Sequence, residues 1–229
     1  MKTLYITFIA VLLLSCGQNI YKHEITELYP NLVKKKQVKE NKTKADMVIP
    51  NPYLDYTLFD KQTGQAFSGK LSGKNNTGLD VEYVFEDGRL KLLNTYNGEG
   101  GLKYRMNYSS GHFFELYPNG KLKQEIDYNT MWTATFYEDG SIRSESNDEF
   151  MFTYYKNGQL EKKYELATDY DEQNKSTYFH GDFEYYYPDG SIKAEGEYTE
   201  ESIDGTWIYY DENGNVQKQE YYDNGFRMN

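Results

Sequence analysis

YYYPDGSI, residues 185–192, decides the fold. Three aromatic residues precede Pro188-Asp189-Gly190, and Ile192 follows two residues after the glycine. Asp-Gly between alternating apolar residues is among the strongest short-range hairpin signals. Pro188 refines it. A two-residue type I′ turn needs positive φ at both central positions, which the fixed negative φ of proline forbids. Pro188 and Asp189 suit the centre of a type I turn, with Gly190 left-handed behind them as a bulge. Side chains alternate across a strand, so Tyr185 and Tyr187 are assigned to one face and Tyr186 to the other.

The same phrase recurs along the chain. It stands as FEDGRL (85–90), YPNGKL (117–122), YEDGSI (137–142) and YKNGQL (155–160), and with one extra residue as YDENGNV (210–216). Gly88, Gly120, Gly140, Gly158, Gly190 and Gly214 are therefore read as structural turn residues, at intervals of 32, 20, 18, 32 and 24. Self-similarity at such a period marks a repeat architecture. The expected fold is all-β: an elongated antiparallel β-meander of repeated hairpins over residues 53–229. Cross-strand aromatic pairs, worth a few tenths to about 1 kcal/mol each, would hold a sheet that lacks a thick core. The last phrase, Tyr221-Tyr222-Asp223-Asn224-Gly225, reads as a link whose next strand is missing. The open sheet edge expected there would permit self-association.

Composition agrees with a thin sheet. The 229 residues include 25 Tyr and 12 Phe, rings that bury a face while keeping a polar tip wet. The formal charge is −11, and the acidic excess falls after Tyr53, which excludes nucleic-acid binding through a basic surface. Cys16 is the single cysteine, and His23, His112 and His180 match no zinc spacing, so neither a metal nor a cofactor is expected. Asp169-Tyr170-Asp171-Glu172-Gln173-Asn174 has the spacing of a calcium loop at its start but lacks the sixth-position glycine, and it is read as an acidic loop between repeats.

The N-terminus reads as an address. After Lys2 comes an apolar run from Leu4 to Leu14, shorter than the roughly 20 residues of a spanning helix. Leu13-Leu14-Ser15-Cys16-Gly17 resembles the lipobox of bacterial lipoproteins. That resemblance implies that residues 1–15 are a signal peptide and that Cys16 is acylated and holds the chain to a membrane. Gly17, where some lipoproteins carry an aspartate retention signal, favours the outer membrane facing the periplasm. Residues 16–52, with Lys34, Lys35, Lys36, Lys39, Lys42 and Lys44, are read as the lipidated N-terminus and a flexible Lys-rich tether.

The repeated phrases, with Gly205-Thr206-Trp207 as a restart and Phe59–Lys70 as an opening unit, resemble the MORN-variant repeats of bacteria. The resemblance covers nearly all of residues 53–229. It implies a scaffold, and it brings the label of toxin–antitoxin system antitoxin that many such chains carry. No Gly-x-Ser-x-Gly, His-Glu-x-x-His or phosphate loop occurs, so the chain is not expected to be an enzyme. The leading expectation is a lipid-anchored, non-enzymatic envelope scaffold that binds a protein partner. The alternatives are a carbohydrate- or peptidoglycan-binding lipoprotein using exposed tyrosine rows, and an antitoxin or immunity protein. Tyr185, Tyr186, Tyr187, Trp132 and Trp207 are the candidate binding residues.

Overall fold

The computed structural model describes residues 28–36, 56–170 and 175–228, which form seventeen strands joined by turns. The chain divides into two units, Met1–Thr130 and Met131–Asn229. In the first, β1 (Leu32–Lys36) pairs with β2 (Tyr56–Asp60) as a separate two-stranded sheet. The strands β3 (Gly69–Lys74), β4 (Asp80–Glu86), β5 (Arg89–Tyr96), β6 (Leu102–Asn107), β7 (His112–Leu116) and β8 (Leu122–Asp127) then pair antiparallel in chain order. The second unit continues the pattern with β9 (Trp132–Phe136), β10 (Ile142–Ser146), β11 (Phe150–Tyr154), β12 (Leu160–Tyr170) and β13 (Lys175–Tyr186). It ends with β14 (Ile192–Thr199), β15 (Ser202–Tyr210), β16 (Val216–Asp223) and β17 (Phe226–Met228). The all-β hairpin meander is the architecture of both units.

The turns follow from their letters. At Tyr187–Ser191 the Gly190 N–H donates to the Tyr187 carbonyl at 2.9 Å and the Tyr187 N–H to the Ser191 carbonyl at 2.8 Å. The same pair of bonds closes residues 117–121, 137–141 and 155–159. The acid before the glycine braces the turn, since Asp189 Oδ1 accepts from the Ser191 N–H at 2.9 Å and from its hydroxyl at 2.7 Å. At the six phrase glycines φ lies between 76° and 94°, conformations in which a Cβ is strained. The turn at Asp87-Gly88 differs. Asp87 also has positive φ (49°) and Glu86 pairs directly with Arg89, a two-residue hairpin loop.

Three of the turn tyrosines also stitch their hairpins to later ones. Tyr137 donates its hydroxyl to the carbonyl of Tyr154 at 2.9 Å, Tyr155 to that of Tyr186 at 2.7 Å, and Tyr187 to that of Tyr210 at 2.9 Å.

Three expectations change. Of the tether, residues 28–36 are structured: β1 pairs with β2, and Leu32 is buried at 1% exposure against Leu58 and the face of β4 and β5. Leu32 is buried while Val33 and Lys34 are half-buried and Lys35 is exposed, a partly covered strand that the lysine run conceals in the sequence. Tyr29 completes this cover, its hydroxyl donating to the Ser72 carbonyl at 3.0 Å and accepting from the Ser72 N–H at 2.9 Å. Those are polar groups of β3, the edge strand of the sheet. The second change is at the C-terminal phrase, which is not left without a strand. Asn224 and Gly225 both have positive φ and turn the chain back into β17. Third, the expected inter-repeat loop is largely strand, because β12 reaches Tyr170 and β13 begins at Lys175; residues 171–174 lie outside the described residues.

The first unit has a two-layer core, with Leu32 and Leu58 against Tyr83, Phe85, Leu93 and Phe113. In the second unit, side-by-side rings perform that function. Tyr164 lies 4.5 Å from Phe179 and 4.9 Å from Phe183 between ring centroids, and Phe183 stacks on Trp207 at 5.2 Å.

Candidate functional site

Cross-strand register in the second unit assembles two rows from residues far apart in the sequence. On one face Ala134, Glu145, Phe152, Lys163, Glu184, Glu195, Ile208 and Gln219 are successive partners from β9 to β16. On the other, Thr135, Ser144, Thr153, Lys162, Tyr185, Ala194, Tyr209 and Lys218 are partners across the same strands. Adjacent members of a row stand one strand apart, about 4.8 Å.

The faces differ in chemistry. The Tyr185 face is cationic and aromatic. Lys193 Nζ lies 4.4 Å from the Tyr185 ring centroid and 5.1 Å from that of Tyr187, and Lys162 lies 5.3 Å from Tyr185. Arg143 sits over Tyr137 at 6.0 Å and Lys218 over Tyr209 at 4.3 Å. Lys193 also donates to the Tyr185 oxygen at 3.1 Å, which holds that hydroxyl below its usual pKa of 10.0. The opposite face is acidic and aromatic. Tyr154 donates to Glu145 at 2.6 Å, Tyr186 to Glu184, and Tyr210 to Glu195 at 2.5 Å. Burial, and then the hydrogen bond to a carboxylate, push Tyr154 and Tyr186 up to about 12.

The sequence candidates divide between these environments. Tyr185 and Tyr187 share the cationic face beneath Lys193, whereas Tyr186 is on the acidic one. Trp132, two residues from Ala134 in β9, belongs to the acidic face and is half-buried. Trp207 is no open platform: it is 5% exposed, lies over Gly196, and donates its Nε1–H to the Asp204 carbonyl at 3.1 Å. A sugar cannot stack on it without displacing the ring from Gly196. Gly88, Gly120, Gly140, Gly158, Gly190 and Gly214 all sit in turns. Cys16 lies outside the described residues.

Two features that the sequence reading passed over stand out. Gly111 and Gly181 are restart glycines like Gly205; each stands nine residues before a turn glycine, and the aromatic two positions on (Phe113, Phe183 or Trp207) is buried. That constant spacing was the available signal. The charge division between faces has no comparable signal. In the first unit, an open groove beside Leu102 and Tyr117 contains Glu115 and Lys123, paired with each other at 2.7 Å, and Lys103, whose Nζ lies 4.9 Å from the Tyr104 ring centroid. His112 Nδ1 meets Glu125 at 3.1 Å, and the N–H groups of Ser109 and Ser110 bond to Asn107. Among the described residues, no group of three His, Cys, Asp or Glu side chains is arranged to hold a metal ion.

Three segments, residues 109–130, 179–200 and 203–224, match the MORN repeat variant. Each spans one restart glycine and one turn glycine. No match is found among curated proteins. Among solved structures, one similar chain belongs to the Photorhabdus luminescens Tc holotoxin pore, at 11% identity over 74% of this chain and 11% of that one, with a TM-score of 0.18. Another is an alternansucrase in complex with isomaltononaose, at 14% identity over 73% of this chain and 17% of that one, with a TM-score of 0.19. The chain thus spans less than a fifth of either structure.

Proposed function

We propose that this chain is a non-enzymatic repeat scaffold of a bacterial cell envelope, held to a membrane by acyl chains on Cys16 and binding a protein partner across its hairpin sheet. The observation that carries the reading is how the polar groups are distributed. Glu145, Lys163, Glu184 and Glu195 stand on separate strands along one face, and each is already engaged by a neighbouring tyrosine or ion pair. Spacing of that kind suits a long contact with a macromolecule better than convergence on a small reacting group. The MORN repeat variant segments agree with a scaffold. The anchor rests on the lipobox-like Leu13–Gly17 and on the outer-membrane preference drawn from Gly17. Several acyl chains on one residue anchor stably, where a single chain does not.

Metabolic labelling with a fatty acid tests the anchor: wild type should incorporate label and Cys16→Ala should not. Cross-linking in membranes followed by capture of the whole chain tests the scaffold. Failure to recover any protein specifically joined to residues 53–229 would sink that half of the reading, and equal labelling of wild type and Cys16→Ala would sink the other.

A further inference from the structure

The acidic face of the second unit carries like charges in register. Glu184 is the direct partner of Glu195, and Asp182, Glu197 and Asp204 are successive partners across β13, β14 and β15. Like charges directly opposite one another destabilise a sheet. Lys163 meets Glu184 at 3.4 Å, but among the described residues no cation forms an ion pair with Glu195, Asp182, Glu197 or Asp204. Local neutralisation was within reach. The opposite face of the sheet holds Lys162 and Lys193, which lie over Tyr185, and Lys218, which lies over Tyr209 and pairs with Glu220 at 2.9 Å. The carboxylates stand a strand apart along the sheet, a geometry that matches a chain of separate cations and not a single ion.

A second observation falls on the same face. Tyr221, Phe226 and Met228 are 56%, 76% and 48% exposed, and register places them together: Tyr221 pairs with Met228, and Asp223 with Phe226. Tyr221 is two residues from Gln219, the last member of the acidic row. Charge and apolar exposure therefore adjoin on one face.

We infer that this face docks a cationic polypeptide: a lysine- or arginine-rich segment lying across β13–β15, with its charged groups on Glu184, Glu195 and Glu197. Its aliphatic stems would lie along Tyr186 and Tyr210, and an apolar residue beyond the basic run would meet Tyr221 and Phe226. Electrostatic complementarity of this kind fixes register and speeds association. The inference rests on the scaffold reading and gives its partner a chemistry.

The test uses the whole chain with fluorescent decalysine, and decaglutamate as the opposite-charge probe. Decalysine should bind, more weakly as salt is added, and decaglutamate should not. Glu184→Gln/Glu195→Gln/Glu197→Gln should weaken decalysine by about tenfold, whereas Glu99→Gln/Glu201→Gln/Glu212→Gln, which removes the same charge from exposed turns, should change it less than about twofold. Circular dichroism of both variants controls for folding, and the conservative replacements keep the tyrosine hydrogen bonds. Absence of decalysine binding, or an equal loss in the two variants, overturns the inference. The partner capture described above separates the two readings: if the triple face variant still recovers the wild-type partner, the scaffold stands and this face does not dock it.

Discussion

Gly196→Ala is the most informative single change in the second unit. A Cβ built at Gly196 would lie 2.4 Å from Trp207 Cδ2, 2.5 Å from Cε2 and 2.7 Å from Cγ. Those distances put it inside the indole. Gly196 has no left-handed φ, so the cost is steric and not conformational. Trp207 is 5% exposed and is held by Phe183, Tyr198 and Gly196, so it cannot shift without breaking the ring cluster. Overpacking of this kind costs about 1–3 kcal/mol. Trp207→Ala alone should cost about 3–5 kcal/mol through the lost ring contacts. With the ring gone, the three atoms nearest a Cβ at 196 are gone with it, and alanine there should gain about 0.4–1 kcal/mol by restricting the unfolded chain. The two changes should therefore couple by about 1.4–4 kcal/mol in a double-mutant cycle. Urea unfolding of the four proteins, followed by circular dichroism, reads the cycle, and tryptophan emission of Gly196→Ala reads displacement of the ring. A coupling below about 0.5 kcal/mol, with emission unchanged, would refute the idea that an indole resting on a glycine holds this part of the sheet.

Two further outcomes are expected. Tyr154, Tyr164, Tyr186 and Tyr222 are each raised from 10.0 to about 12, by burial first and, except at Tyr164, by donation to a carboxylate. A raised pKa in the folded state favours the neutral phenol, so this stabilisation is complete below the unfolded value and is lost as pH climbs from 10 through 12. Tyrosinate absorbance and loss of sheet should rise together over that window; a full titration at the ordinary value with the sheet intact would contradict it. At the turn that decides the fold, Gly190 has φ of 91° and only Gln159 Oε1, at 3.5 Å, near a Cβ, so Gly190→Ala should cost about 1–2 kcal/mol of left-handed strain. Gly190→Asn should cost less, because asparagine tolerates that region, and denaturation curves that rank alanine with wild type would count against the turn geometry.

Much of the fold was legible because its signals are local. Pro188-Asp189-Gly190 contains its own turn, and the alternating aromatics contain their own strands. Signals failed where the turn lacked the aromatic that begins the phrase. Asn97-Gly98-Glu99-Gly100-Gly101 closes with the same two hydrogen bonds as Tyr187–Ser191, and it divides the long interval between Gly88 and Gly120. It went unread because Asn97 stands where other phrases have tyrosine. β1 was hidden for a different reason. Leu32 is buried only because β2, much later in the chain, supplies a partner, and no local pattern separates Leu-Val-Lys-Lys-Lys from a solvated lysine run.

The division of charge between faces was illegible for a reason built into the repeat. Counting alternate residues from a turn glycine ought to assign every side chain to a face. Yet after the turn of each repeated phrase the register shifts: Tyr186 pairs with Ile192 while Tyr185 pairs with Ala194, so Lys193 is an extra residue that reverses the alternation. Similar shifts lie between Ile142 and Ser144, between Thr153 and Tyr154, and between Tyr209 and Tyr210. A bulge at each phrase hairpin thus sets which letters of the returning strand reach the acidic face. Through it Lys193 comes to lie over Tyr185, whereas Glu195, two residues on, lies beside Glu184. The bulge does not depend on loop length: at the two-residue loop of Asp87-Gly88, Val84 pairs with Leu92 and Phe85 with Leu90, so Lys91 is the extra residue three after the glycine, as Lys193 is after Gly190. Substituting a two-residue Asn-Gly loop for Pro188-Asp189-Gly190 keeps Tyr187 opposite Ser191 and Tyr186 opposite Ile192, so it should leave Lys193 on the Tyr185 face, and a β14 whose charges change face would contradict this account.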